Sequence, residues 1–348
     1  MNGSRRALLT SLLASGGGAL AACGTRDPRP PIRGVLDVTR LSQGFTALSE
    51  RANPGVFNLG VLTLGDGKSW NADERTRYPM QSVAKAPLAA AVLAEVDAGR
   101  MTLSERLEIA AADLSATPSR INALFPARPG AERKAVPLVD LIALAVQRGD
   151  NTAADVLMRR LGGPGAVSAW LRARGIDGIS LDRYEREIQV EVCGLPAFNS
   201  DWADEATFLA ARDTVPAARR ELAMNGYLTD QRDTATTPGA LAFLGALAED
   251  RLLAPASTRL LLRFMETVYT GDDRLKAGLP RGARLAHMTG TARTDLGLTP
   301  ATNDIGIVTL PGGARLAVAA FLAGSVATEV QRYRLFADAA RLIFASLS

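Results

Sequence analysis

The chain has 348 residues, 47% of them hydrophobic and 22% charged, enough to bury a sizeable core in one large domain or two small ones. Basic residues exceed acidic ones by only four and are scattered without interleaved aromatics, which excludes the basic groove of a nucleic-acid-binding protein. A single histidine, His287, excludes a histidine-rich metal centre and makes a Ser-His-Asp triad hard to build.

The N-terminus reads MNGSRRALLTSLLASGGGALAACGT. Arg5 and Arg6 precede an apolar stretch too short to span a bilayer comfortably, which ends in small residues and a cysteine, the plan of a secretory leader. Leu20, Ala21, Ala22 and Cys23 resemble the bacterial lipobox, which implies a signal peptide over 1–22, diacylglycerol on the Cys23 sulfur and a periplasmic, membrane-anchored lipoprotein. The arginine pair also resembles a twin-arginine signal. Loss of the leader lowers the positive excess to two, too small to drive binding to acidic surfaces. Residues 23–40, with the Pro- and Arg-rich GTRDPRPPIRG, read as a stiff tether. Cys193 is then the one thiol left, expected to be packed and inert.

The ordered domain is placed at 41–348. VFNLGVLTL and KSWNA flank Gly65-Asp66-Gly67 as a predicted β-hairpin. From Ser82 to about Tyr269 the periodicity predicts helices near 82–98, 138–146, 151–161, 164–174, 238–248 and 256–268. Strands return at 283–292 and in NDIGIVTL and RLAVAAFLAG, which bracket Pro311-Gly312-Gly313, and a last helix covers about 329–346. Strands at both ends with helices between them predict a mixed α/β (α+β) fold: one antiparallel sheet from 41–75 and 275–348, flanked by helices, with an inserted all-helical lobe over 76–274. A cleft between the lobes is the natural place for a site. Residues 190–230 have weak periodicity and read as an insertion or extended loop.

In YPMQSVAKAPLAAAVLAEV, Ser82 and Lys85 stand three residues apart at the start of an apolar run, hence on one face of a helix. The Ser82 amide at such a helix start could stabilise an oxyanion, and a lysine packed among Val83, Ala86 and Leu88 loses hydration and can serve as a base toward the serine. Ser-x-x-Lys alone is equally an N-cap serine followed by a solvated lysine. Three further stretches change this: QRGDNTAADVLMRRLGG (147–163), LDRYEREIQ (181–189) and AHMTGTA (286–292).

The order and spacing of these stretches resemble the class A β-lactamases and their penicillin-binding relatives, from about Leu41 to the C-terminus but without 190–230. The resemblance implies a fold of that kind, no cofactor and a monomeric hydrolase acting on a β-lactam or related acyl substrate. It implies Ser82 as nucleophile, Lys85 as general base and Glu185 as the group that activates the deacylating water. It also implies an oxyanion hole from the Ser82 and Thr291 amides, Asn151 as holder of the substrate's amide side chain, and substrate contacts in Thr289-Gly290-Thr291. Asp182 is expected to brace its loop through a basic partner.

Two groups depart from the pattern. Gly149 stands where the family has a serine that relays a proton to the leaving nitrogen, and Met288 where it has a lysine that anchors that serine and the substrate carboxylate. Gln189 replaces an asparagine that helps hold the water. His287 should face away from Met288, and Arg293 is the expected replacement for carboxylate binding. Slow acylation follows from the missing relay. The alternatives are a hydrolase of another ester or of a peptidoglycan fragment, or a catalytically silent ligand-binding relative.

Overall fold

A computed structural model describes residues 36–126 and 131–347. The leader, Cys23 and the tether up to residue 35 lie outside the described residues.

The chain opens with a helix that the sequence reading did not anticipate, α1 (Val38–Ala52), capped by the Asp37 carboxylate on the Arg40 amide. Then come β1 (Val56–Leu64), β2 (Ser69–Asn71) and the short β3 (Tyr78–Pro79). A 3₁₀ turn, Gln81–Ala84, carries Ser82, so α2 (Lys85–Asp97) starts at the lysine and not at the serine. The hairpin β4 (Arg106–Ala110) and β5 (Arg133–Pro137) follows; it was not anticipated either, and the helical lobe is therefore not all-helical. Helices α3 (Leu138–Arg148), α4 (Asn151–Arg160), α5 (Ala166–Arg172) and α6 (Glu185–Glu191) complete the first half of that lobe. The 190–230 segment is largely helical, with α7 (Glu205–Asp213), packed on a small core of Val190, Cys193, Leu195 and Phe208, and α8 (Ala217–Thr229). Then follow β6 (Thr234–Ala235), α9 (Thr237–Ala248), α10 (Pro255–Glu266), β7 (Arg284–Thr291), β8 (Thr299–Thr309), β9 (Arg315–Ser325) and α11 (Glu329–Ala345).

The two chain ends share one antiparallel sheet, in the order β2-β1-β9-β8-β7. Its period-two pattern separates two cores. Leu59, Val61, Val318 and Ala320 face α1 and α11, whereas Ala317, Ala319 and Phe321 face the helical lobe. Helix α2 is buried from Lys85 to Ala94, which accounts for its nearly continuous Val, Ala and Leu content: a helix enclosed on all sides needs no polar face.

Candidate active site

Ser82 and Lys85 lie where α2, α4 and α6 come together beside the edge strand β7. Gly290 allows the strand to approach, because a Cβ there would lie 2.3 Å from the Met80 carbonyl. Asn303 of β8 donates to the Pro79 and Met80 carbonyls at 2.8 and 3.0 Å, pinning the chain just before the serine. Gln81, next to Ser82, adopts φ +50°, a strained conformation for a side-chain-bearing residue, and its amide donates to the Tyr227 hydroxyl of α8.

Lys85 is 1% exposed. Its Nζ donates to Ser82 Oγ at 2.8 Å, the Gly149 carbonyl at 2.9 Å and Asn151 Oδ1 at 2.6 Å, and it lies 3.0 Å from Glu185 Oε1. A buried amine thus has oxygen partners and a carboxylate within reach, as burial of such a group requires. Asn151 begins α4 directly after its N-cap Asp150, and its Nδ2 donates to the Ala116 carbonyl, leaving a second N–H for a ligand.

Glu185 is set by α6, whose start is held from α4. Asp155, one turn after Asn151 on the same helix, accepts from the Glu185 amide at 2.6 Å and the Arg186 amide at 3.2 Å, and Ser115 Oγ also donates to it. Burial pushes the Asp155 carboxyl up to about 7, and the neighbouring Glu185 charge adds to the rise. The loop brace differs from expectation. Arg183, not a partner of Asp182, carries it, pairing with Asp233 at 2.6 Å and with Asp230 at 3.2 Å; Asp182 instead accepts from the Asp233 amide.

Gly149 ends α3 in the left-handed region at φ +65°. A Cβ there would meet only Ser82 Oγ, at 3.9 Å, so the position has room for a side chain but not a relaxed backbone for one. Met288 lines the same cleft and is 1% exposed, an apolar floor where a cation was expected. His287 points the other way, as its place on the strand predicts, into a buried contact between Nδ1 and Asp304 Oδ1 at 2.8 Å.

The cleft has a volume of about 160 Å³. Thr289, Thr291 and Gln189 line it. Thr289 Oγ1 shares a 2.6 Å hydrogen bond with Thr270. Arg293 is not free for a ligand carboxylate: Glu205 of α7 pairs with it at 2.6 Å, and its Nη2 donates to Thr117 across the cleft at 2.7 and 3.0 Å. The unanticipated cation is Arg274, 3% exposed, which donates to Thr291 Oγ1 at 2.6 Å, the Asn303 carbonyl at 2.8 Å and the Tyr333 hydroxyl at 3.0 Å. No carboxylate of the described residues pairs with it. A ligand carboxylate on the Thr289 and Thr291 hydroxyls would sit in the field of this uncompensated guanidinium.

Residues 40–347 match the family described as the Beta-lactamase enzyme family. Among curated relatives, the chain is 28% identical over 293 residues to β-lactamase VEB-1 of Pseudomonas aeruginosa, covering 84% of this chain and 85% of that protein. It is 31% identical over 325 residues to a β-lactamase of Kitasatospora aureofaciens, covering 90% and 87%. Among solved structures, the TLA-1 extended spectrum β-lactamase superposes with a TM-score of 0.71 at 25% identity, over 89% of this chain and 99% of that one.

Proposed function

The chain belongs to the beta-lactamase enzyme family, of class A type and hence a hydrolase, and from that premise we propose that it opens β-lactam rings through an ester on Ser82, with slow acylation. Lys85, made neutral by passing a proton to Glu185 at 3.0 Å, takes the Ser82 proton as Oγ bonds to the lactam carbonyl carbon, and the ring C–N bond then breaks. The departing nitrogen needs a proton; with neither Gly149 nor Met288 to give one, it draws it slowly from the Lys85 ammonium through water, and Glu185 returns its own proton to Lys85. In the second half-reaction Glu185 draws a proton from water, which attacks the ester, and the departing Ser82 oxygen takes a proton from Lys85. The observation that carries this reading is the position of Lys85 Nζ, 2.8 Å from the serine oxygen and 3.0 Å from the glutamate.

The test is a chromogenic cephalosporin assay combined with intact-protein mass spectrometry. Slow turnover is expected from the natural sequence, whereas Glu185→Gln should accumulate a covalent adduct that Ser82→Ala does not form. Absence of both turnover and adduct would overturn the proposal.

A second reading, hydrolysis of a small ester, is favoured by the cleft volume, which falls below the roughly 300 Å³ of common drug-sized pockets. An alkoxide leaves with less need of a proton donor than an amine. Ser82-dependent release from activated esters that exceeds lactam turnover would favour it.

A further inference from the structure

Away from the cleft, where the end of α1 meets the last residues of β9 and the first turn of α11, a cavity of about 490 Å³ is lined by Arg51, Arg332 and Arg334. No residue lines both this cavity and the catalytic cleft. Arg332 is 4% exposed, donates only to the Ala327 carbonyl at 2.6 Å, and leaves Nε buried without a partner. Arginine is seldom buried to this degree without a carboxylate, and no carboxylate of the described residues lies within salt-bridge distance of it; Glu329, three residues earlier, attracts it only from farther away. Arg51 is paired with Asp338 at 2.8 Å, so one of the three charges is balanced and two are not. No acidic residue lines the cavity; Asn53, Gln331 and Ser325 add polar groups.

We propose that this cavity binds a dianionic phosphate group, with Arg332 and Arg334 supplying the two uncompensated guanidiniums. The guanidinium fork suits phosphate oxygens, and two open charges match a phosphate monoester or pyrophosphate better than a single carboxylate. The phosphate could belong to a soluble ligand or to a lipid headgroup.

Calorimetric titration of the full-length protein with sodium pyrophosphate and with inorganic phosphate tests the site. Saturable binding is expected with Kd on the order of 0.1–1 mM at low salt, weakened about fivefold or more by Arg334→Ala, an exposed position that should leave folding intact. Arg332→Gln should weaken it further; if that variant does not fold, Arg334→Ala and Arg51→Ala carry the test. Co-sedimentation with vesicles containing phosphatidic acid, a phosphate monoester, against phosphatidylcholine vesicles separates the sources: retention lost in Arg334→Ala assigns a headgroup, and pyrophosphate binding without retention assigns a soluble ligand. Failure of both probes to bind, or binding unchanged in Arg334→Ala and Arg51→Ala, overturns the proposal. β-Lactam turnover does not enter the readout, so the two proposals fail separately.

Discussion

The two sides of the cleft are built by opposite rules. On one side the polar groups are tied together: Lys85 alone joins Ser82, Gly149, Asn151 and Glu185, and α6 is tied to α4 by Asp155. On the departing side the groups that would move a proton are a glycine and a methionine. The contrast teaches that the hydrogen-bonded unit around Lys85 does not need a polar side chain at 149 or 288, because it uses only the backbone carbonyl of Gly149.

The sharpest way to break this contrast is to remove its centre. Lys85→Ala should lower acylation by about 10²- to 10⁴-fold, measured by adduct formation in single-turnover mass spectrometry. Retained acylation would mean that the closed corner is not the source of reactivity. Next in size, restoring both polar groups with Gly149→Ser and Met288→Lys should raise lactam acylation by about 10²-fold, read in a stopped-flow cephalosporin assay. Met288→Lys alone should instead destabilise, since it buries an ammonium with no partner. The left-handed backbone at residue 149 should cost the serine roughly 1–2 kcal/mol, seen as a fall of a few degrees in Tm.

A smaller effect tests whether the cation missing at 288 has been moved to Arg274. Arg274→Ala should raise KM about tenfold for carboxylate-bearing substrates with kcat changed far less, and Arg274→Lys should recover part of the loss. Equal falls in kcat and kcat/KM would assign Arg274 to the reacting corner instead.

The smallest effect concerns Asp155. Its folded carboxyl titrates near 7, above its ordinary 3.8, so the folded state holds a proton that the unfolded state has released. The stabilisation it contributes is fully present below about 3.8 and is lost as pH rises toward 7, flat beyond that. Asp155→Asn should therefore give a higher Tm than the natural sequence at pH 8, with the difference shrinking toward pH 4, in a thermal-melt series.

Ser82 and Lys85 could be singled out by their spacing at the start of an apolar run, whereas Asn151 and Glu185 were legible only through the family resemblance, since by themselves they read as a helix cap and a loop charge. The loss of polar groups at 149 and 288 was likewise visible only against the family's pattern. Arg274 could not be found in the sequence, since TGDDRLK reads as a solvated loop and only contacts with Thr291 of β7, Asn303 of β8 and Tyr333 of α11 bury it. Asp155 likewise looks like any polar residue of a helix until α6 is placed against it. Arg293 misled for the converse reason: its salt-bridge partner comes from residues 190–230, whose helices carry weak periodicity around a small core. The sheet was legible from its alternation. Helix α1 was not, with Gly44 diluting its pattern and only Leu41, Leu48 and Ala52 buried along it.

One consequence lies in the surroundings of Lys85. As an ammonium it has three hydrogens to offer, yet four oxygens stand within bonding range. One oxygen is always left over, and a small turn about the terminal C–N bond changes which one. The corner can thus pass its shortage from glutamate to serine with every heavy atom at rest.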